Sequence, residues 1–265
     1  MPKDRCEGSP AYYDRDYLLS SEKRNQILEL WEVERFGRDS FGDPDAVSLY
    51  GMRPAEWHGR GVRVVGRTAV EAARDPLAKR IAATVVRTAS KGLSDLAPAV
   101  VDPFAGSCNA LLWLVRGLPG AVGVGFESDD EIFRLTSRNL AAIGAPIALL
   151  HGDCRSLIGA RRFPERQPIV APLAPPWGDA LNPKSGLDLS QTKPPISEMI
   201  DVFERAYPEN PILYVIETHE RLAPEPLAHL RRKFDWSELE MFEVGGPTGR
   251  HGVLLGAQRW GRADD

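Results

Sequence analysis

The sequence predicts an α/β protein with a mostly parallel sheet covered by helices on both faces, and three observations lead to this prediction. From residue 98 onward, short apolar runs alternate with segments of helical periodicity. The first three apolar runs each lead to an acidic residue, namely Asp102, Glu127 and Asp153. Near the end of the chain, the extended runs 237–244 and 252–258 are joined by a turn so short that it must connect antiparallel neighbours. Because strands that alternate with helices form parallel sheets, only this final hairpin is expected to add an antiparallel strand.

The individual elements follow from apolar spacing and from capping signals. Apolar runs of strand length predict strands at 99–101, 121–126, 147–150, 169–173 and 212–216. Helical spacing predicts helices at 110–115, 129–143, near 196–206 and near 224–233. Earlier in the chain, the spacing predicts a helix near 21–36, followed by a loop at 37–62. Two further helix starts are predicted, one from the capping-box spacing of Thr68 and Glu71 and one from Asp75 followed by Pro76. The second of these helices is expected to end by Gly92.

Length, charge and cysteine content exclude several classes of protein. The chain has 265 residues, enough for one domain with an extension, and its formal net charge of −4 excludes a wholly basic nucleic-acid binder. No apolar run approaches the roughly 18–20 residues of a membrane-spanning helix, and no signal peptide is visible. The three scattered cysteines suit a reducing compartment, and neither they nor the five histidines show metal-ligand spacing. We therefore expect a cytoplasmic protein with no metal site and no membrane partner.

The segment after the first predicted strand has the character of a ligand-binding loop. Its small residues let the backbone approach a ligand closely, and the N–H groups at the start of the next helix favour negative charge. Glu127 is placed to accept hydrogen bonds from both ribose hydroxyls of a nucleoside, and Asp153 is placed to meet an adenine amino group. A dinucleotide site is the obvious alternative, but the loop lacks the G-x-G-x-x-G pattern. Asp102, which opens the loop, instead suits the ammonium group of a sulfonium nucleoside.

Four segments together resemble class I S-adenosylmethionine-dependent methyltransferases over roughly residues 75–258. They are VVDPFAGSCN (100–109), VGFES (124–128), HGD (151–153) and APPWGD (174–179). The resemblance implies a Rossmann-like, seven-stranded sheet in a methyltransferase domain at 75–265. Residues 1–74 are expected to form an N-terminal extension of helices and loops, with a substrate-binding cap as one role open to it. The resemblance also implies S-adenosylmethionine as the cofactor. The cofactor-binding residues that it implies are Asp102, Pro103, Phe104, Ala105, Gly106, Ser107, Cys108, Asn109, Glu127, Ser128, Asp153 and Cys154.

The segment APPWGD (174–179) carries the most specific part of the resemblance. It resembles the Asp/Asn/Ser-Pro-Pro-Tyr/Trp signature of amino-methyltransferases acting on bases, and with GLDLS (186–190) it is most similar to the trimethylguanosine synthase branch. The loop at 102–109 is also similar to that of the guanine N2-methyltransferases of the small ribosomal subunit. The resemblance implies that backbone carbonyls hold the target amine and that an aromatic face stacks on a planar acceptor. The residues implied in catalysis are Ala174, Pro175, Pro176 and Trp177.

This sequence departs from the family pattern at three positions that bear on the site. Ala174 stands where the signature has Asp, Asn or Ser, so only backbone carbonyls are available there to accept from an amine. Cys108 replaces the usual second glycine of the loop, which requires a compensating backbone geometry. Asp179 stands where the trimethylguanosine synthase branch has another glycine.

The charge distribution favours RNA as the acceptor but leaves other acceptors open. Residues 53–91 contain nine basic and three acidic side chains, and such a segment can bind RNA phosphates. A small-molecule metabolite or natural product is the alternative acceptor, and a catalytically silent protein that binds cofactor or RNA is a third hypothesis. His219, at the end of the fifth predicted strand, is a further candidate for acceptor contact. The expected acceptor-binding residues are Trp177, Gly178, Arg60, Arg63 and Arg67.

Overall fold

A seven-stranded sheet forms the centre of the protein, whose computed structural model describes residues 13–89, 96–182, 184–246 and 249–260. The order of the strands across the sheet is β3-β2-β1-β4-β7-β9-β8. The short strands β5 and β6 pair with each other in a separate two-stranded sheet. In chain order the strands are β1 (Ala99–Asp102), β2 (Val122–Glu127), β3 (Ile147–His151), β4 (Ile169–Leu173), β5 (Leu181–Asn182), β6 (Gly186–Leu187), β7 (Ile212–His219), β8 (Trp236–Gly246) and β9 (Gly249–Gln258).

The strand directions confirm the sequence prediction of a mostly parallel sheet with an antiparallel C-terminal hairpin. Strands β1 to β4 and β7 pair in parallel. Strand β9 runs antiparallel to both of its neighbours, β7 and β8. The chain builds outward from β1 to β3 and then crosses back to β4, so the direction of winding reverses between β1 and β4. Ligands bind at such a reversal in open α/β sheets, above the carboxyl ends of the strands.

The central strands form because their side chains are buried on both faces of the sheet. Every residue of β1 and of β4 is buried, as expected for parallel strands covered by helices. Alternate residues enter two different cores: Val101 and Ala171 pack in the core on one face, and Val100 and Val170 in the core on the other. The C-terminal hairpin belongs to both cores, with Leu254 on one face and Val253 on the other.

Ten α-helices are present in the described residues, and those that follow residue 98 confirm the predicted ones. Helices α6, α7, α9 and α10 occupy the predicted positions, and α7 begins where Asp129 caps its first turn by accepting from two backbone N–H groups. A short α8 follows β3. The helices are α1 (Arg15–Ser20), α2 (Leu30–Phe41), α3 (Pro54–Gly59), α4 (Gly66–Glu71), α5 (Asp75–Ala89), α6 (Asn109–Gly117), α7 (Asp130–Ile143), α8 (Cys154–Leu157), α9 (Ile196–Ala206) and α10 (Pro224–Arg231).

The N-terminal region differs from the prediction in three places. The helix predicted near 21–36 is correct only in its second half. A turn of 3₁₀ helix occupies 22–25, and α2 begins at Leu30, after a capping box formed by Glu29 and Glu32. The expected loop at 37–62 contains the end of α2 and all of α3. The predicted start at Thr68 is wrong, since α4 begins two residues earlier at Gly66. Helix α5 starts at Asp75 as predicted, and Gly92 lies outside the described residues.

The region before α5 has its own small core and is attached to the sheet domain by specific contacts. Its core includes Trp57 and Phe36 and is completed by Leu112 of α6. The backbone N–H and carbonyl of Arg63 both bond the side chain of Asn139 on α7. The division at 74/75 stays a prediction. No helix in the described part of the chain combines the length and apolar character needed to cross a membrane.

Asp75 connects the N-terminal region to α6, and its removal tests this attachment. Its carboxylate accepts the Gly51 N–H at 2.8 Å and the Trp113 indole N–H at 2.7 Å, and the residue is buried. We expect Asp75→Ala to lower the free energy of unfolding by about 1–3 kcal/mol, because two partly buried donors lose a charged acceptor. Urea denaturation measures the loss. Asp130→Ala, which removes an exposed ion pair with Arg134, is the control and should cost less than about 0.5 kcal/mol; equal losses in the two variants would contradict the account.

Candidate active site

The loop between β1 and α6 lies at the point where the sheet reverses its winding, and its backbone is fixed by left-handed residues. Gly106 has φ 47° and Cys108 has φ 58°. A non-glycine residue in this region is strained, which explains why glycine is usual where Cys108 stands. The Cys108 side chain compensates by burial in the core against α5 and α6. The same burial raises the pKa of its thiol well above the ordinary value, so Cys108 is not a reactive thiolate.

Asp102 is a buried acid at the end of β1. Its Oδ1 accepts the backbone N–H of Phe104 at 2.9 Å. Burial raises the pKa of the carboxyl to about 7, the Phe104 hydrogen bond opposes the rise, and the nearby Glu127 adds to it. Burial disfavours the charged form of this carboxyl, and a cation bound beside it would stabilise that form.

Glu127 ends the neighbouring strand β2 and reaches back to the loop. Its Oε2 accepts the Gly106 N–H at 3.2 Å, and its Oε1 accepts the Asp129 N–H at 2.8 Å. Burial raises the pKa of the carboxyl, Asp129 also raises it, and Arg67 and the two backbone hydrogen bonds lower it. The structure therefore brings two desolvated acids, Asp102 and Glu127, to one loop. Ser128, the next residue, is exposed.

Asp153 and Cys154 follow β3, where they begin the short helix α8. The Asp153 side chain accepts the Arg155 backbone N–H at 2.9 Å and pairs with the Arg155 guanidinium at 2.6 Å. The Arg155 hydrogen bond lowers the pKa of the Asp153 carboxyl, so this acid already has a cationic partner. Burial raises the pKa of the Cys154 thiol to about 12.

The Pro-Pro-Trp segment follows β4, between the loop after β1 and the end of β7. Pro175 is buried, whereas Ala174, Pro176, Gly178 and Asp179 are exposed. The indole of Trp177 is half-buried.

Trp177 lies within a cluster of histidines that sequence reasoning detected only in part. One face of its ring stacks on His251, with 5.1 Å between centroids and 30° between planes, and its other aromatic neighbour is His219 at 6.0 Å, edge-on. His251 Nδ1 lies 2.9 Å from Oε1 of Glu217. The sequence singled out His219 but missed His251 and Glu217. The predicted C-terminal hairpin was the one signal that could have identified His251, because the register of its second strand places His251 opposite His219.

Two of the three arginines expected to contact phosphate are occupied by the protein itself. The Arg63 guanidinium donates to the carbonyls of His58 and Val62, at 2.8 and 2.7 Å. Arg67 forms a 2.5 Å ion pair with Asp129, next to Glu127. Arg60 is exposed at the end of α3. Within the described ranges, no group of three His, Cys, Asp or Glu side chains is arranged to hold a metal ion.

Comparison with solved structures identifies the fold. The delta-N METTL16 methyltransferase domain is 16% identical, and the match covers 69% of this chain and 83% of that chain with a TM-score of 0.50. The cofactor-bound Rv0187 protein from MTB is 12% identical over 82% of this chain and 93% of that one, with a TM-score of 0.49. The O-methyltransferase TomG from Streptomyces achromogenes, in complex with SAM, is 14% identical over 72% and 82%, with a TM-score of 0.47. No family model and no curated protein matches the sequence. The chain has the class I methyltransferase fold.

The raised pKa of Asp102 makes a prediction about stability. Its carboxyl changes from an ordinary pKa of 3.8 to about 7 on folding, so the native state binds the proton more tightly. Between these pH values the folded state therefore loses stability as pH rises. Asp102→Asn keeps the oxygen that accepts from Phe104 but cannot ionise, so its free energy of unfolding relative to the parent should increase from pH 4 to pH 7. Urea denaturation across this range measures the difference in free energy of unfolding between Asp102→Asn and the parent. Asp130→Asn is the exposed control, and a difference that does not vary with pH would contradict the assignment.

Proposed function

We propose that this protein is an S-adenosylmethionine-dependent methyltransferase. The observation that carries the proposal is the pair of desolvated acids, Asp102 and Glu127, at the ends of adjacent strands and in contact with one small-residue loop. A sulfonium nucleoside presents an ammonium group and two ribose hydroxyls, which are groups that such acids bind. The fold is compatible with this chemistry.

The residues present fit this cofactor. Glu127 oxygens each carry two lone pairs, so they can accept from ribose hydroxyls while retaining their backbone hydrogen bonds. Asp102 supplies a negative charge for the ammonium group. When bound, S-adenosylmethionine supplies a methyl group already activated on sulfonium, so the protein needs mainly to position the acceptor and exclude water. The residues proposed to line the rest of the cofactor site are Pro103, Phe104, Ala105, Gly106, Ser107, Cys108, Asn109, Ser128, Asp153 and Cys154.

The proposed acceptor is planar and carries an amino nitrogen, such as a guanine base in RNA. The support is the segment of Ala174, Pro175 and Pro176, whose rigid backbone carbonyls follow β4, and the ring of Trp177 beside it. Because one face of Trp177 lies against His251, an acceptor must use the remaining surface of the ring.

A specific observation favours the alternative of a small-molecule acceptor. The guanidinium groups of Arg63 and Arg67 bind other groups of the protein, and this reduces the basic surface available to contact an RNA. The RNA hypothesis then depends on exposed basic residues such as Arg60, Lys79 and Arg80. The two acceptor classes are separable by experiment.

Removal of the Glu127 carboxylate tests the cofactor assignment. We expect Glu127→Ala to weaken S-adenosylmethionine binding by roughly 1–3 kcal/mol, because the ribose hydroxyls lose a charged acceptor. Isothermal calorimetry measures the affinity, and Glu131→Ala on the exposed start of α7 is the matched control. Unchanged affinity in Glu127→Ala, or tighter binding of NAD than of S-adenosylmethionine to the parent protein, would refute the assignment.

Transfer of a labelled methyl group identifies the acceptor class. The protein is incubated with methyl-labelled S-adenosylmethionine and either total cellular RNA or a small-metabolite extract. Trp177→Ala should abolish most of the transfer while leaving cofactor affinity unchanged, since the acceptor loses about 1–3 kcal/mol of stacking and its alignment. Arg60→Ala should weaken the binding of the acceptor, and reduce the salt dependence of that binding, only if the acceptor is RNA. Full transfer by Trp177→Ala would show that the stacking hypothesis is wrong, and cofactor binding with label in neither fraction would favour the catalytically silent alternative.

A further inference from the structure

Glu217, His219 and His251 share one face of the sheet at its carboxyl edge. Glu217 and His219 are two residues apart on β7, so their side chains point the same way. On the neighbouring strand β9, His251 lies directly opposite His219 in the antiparallel register. The side chains of Glu217 and His251 are 14% and 19% exposed, so the pair is shielded from water but remains accessible.

The contact between Glu217 and His251 determines which nitrogen of the neutral imidazole carries the hydrogen. His251 Nδ1 lies 2.9 Å from Glu217 Oε1, and a carboxylate can only accept there, so Nδ1 carries the hydrogen of the neutral ring. Nε2 then has a free lone pair. Within the described part of the chain, that nitrogen makes no hydrogen bond. This arrangement is that of an oriented base.

The stacking contact with Trp177 places the His251 ring beside the proposed acceptor site. Strand β4 lies between β1 and β7, so the Pro-Pro-Trp segment is flanked by the cofactor loop on one side and by the end of β7 on the other. The Trp177 ring, which we assign to the acceptor, stacks on the His251 ring at 5.1 Å.

We propose that His251, oriented by Glu217, accepts the proton that the methyl acceptor loses, and that the acceptor is therefore a planar molecule whose attacking nitrogen or oxygen bears a proton. This inference rests on the methyltransferase function proposed above. The acceptor heteroatom forms a bond to the methyl carbon while the carbon–sulfur bond breaks and its electron pair returns to sulfur. The acceptor's proton passes to Nε2 of His251, which later releases it to water. Charge is balanced, because the positive charge of the sulfonium leaves as that proton.

His219 does not serve the same role. Its Nδ1 accepts the Arg221 backbone N–H at 3.1 Å, so in the neutral ring the hydrogen is on Nε2 and no lone pair is left there. Nε2 also faces Gly249 so closely that a Cβ at that position would lie 2.7 Å from it. His219 therefore packs against Trp177, and His251 is the proton acceptor.

Ionisable groups lie on each of the strands beside His251. Glu217 is its direct partner. Among the nearby acids, Glu240 pairs with Arg87, and Glu220 and Glu243 pair with Arg250. Strand β8 also carries Glu238. The acidic, basic and histidine side chains on and next to these elements are Glu217, His219, Glu220, Glu238, Glu240, Glu243 and Arg250. Trp177, from the segment after β4, is uncharged.

The first arm of the test needs neither acceptor nor cofactor. Nitrogen-15 NMR of the histidine side chains, assigned with His251→Gln, reports which ring nitrogen is protonated at pH 8. We expect His251 to have a protonated Nδ1 and an unprotonated Nε2. Glu217→Gln, whose amide can present either a donor or an acceptor to the ring, should lose this preference. A proton on Nε2 in the parent protein would overturn the proposal.

The second arm measures initial rates of labelled methyl transfer between pH 5.5 and 9, with whichever of the RNA or metabolite fractions takes up label. Only the neutral imidazole can accept the proton, so the parent rate should rise with pH over this range. His251→Gln should lower the rate at pH 8 by roughly a hundredfold or more and abolish the rise, because general base catalysis contributes about 10²–10⁴-fold. Glu217→Gln should lower the rate less and change the pH profile. His229→Gln, at an exposed histidine of α10, is the control and should match the parent.

Calorimetry separates failure of this proposal from failure of the proposed function. If the parent protein binds S-adenosylmethionine and His251→Gln binds it equally well, a rate within threefold of the parent, or an unchanged pH profile, overturns the proposal alone. If the parent protein binds no S-adenosylmethionine, the proposed function fails, and the proposal fails with it. Loss of rate and of the pH rise with cofactor affinity preserved supports both.

Discussion

The conformation of the loop between β1 and α6 is the constraint on which the rest of the site depends. Contacts from several elements hold this loop. The Tyr50 hydroxyl donates to the Ser107 carbonyl at 2.6 Å, and the Tyr50 N–H donates to the Asn109 side chain at 2.7 Å. Thr136 of α7 donates to the Gly106 carbonyl at 2.8 Å, and Glu127 receives the Gly106 N–H. The N-terminal region therefore contributes directly to the conformation of this loop, because Tyr50 belongs to that region.

The family resemblance predicts glycine at the position of Cys108, and burial of the cysteine side chain explains how the loop tolerates it. A left-handed residue with a side chain costs about 1 kcal/mol or more relative to glycine. The cost is offset because the thiol is buried among the apolar side chains of the core against α5 and α6. The loop keeps the backbone conformation that glycine would supply, and Gly106, also left-handed, remains free of a side chain next to Glu127.

The sequence predicted the sheet well because its signals were local. Apolar runs marked the parallel strands, and the acids that end β1 and β2 lie at one edge of the sheet as a consequence of strand direction. The N-terminal helices were predicted poorly, since α1, α3 and α4 have six residues each and depend on tertiary packing more than on periodicity. The contact of His251 with Glu217 joins residues 34 positions apart, and only the hairpin register brings them together. Whether the predicted site residues bind their ligands stays a prediction.

The central claim is that Asp102 holds a cation at the cofactor site, and proton release on binding tests it most directly. Burial raises the pKa of this carboxyl to about 7, so at pH 6 it is mostly protonated. A bound ammonium group favours the ionised form, and the carboxyl must then release its proton. Calorimetry of S-adenosylmethionine binding at pH 6, in two buffers of different ionisation enthalpy, counts the protons released. The account predicts that the parent protein releases a substantial fraction of one proton and that Asp102→Asn releases clearly less. Binding without proton release by the parent, or equal release by both proteins, would contradict it.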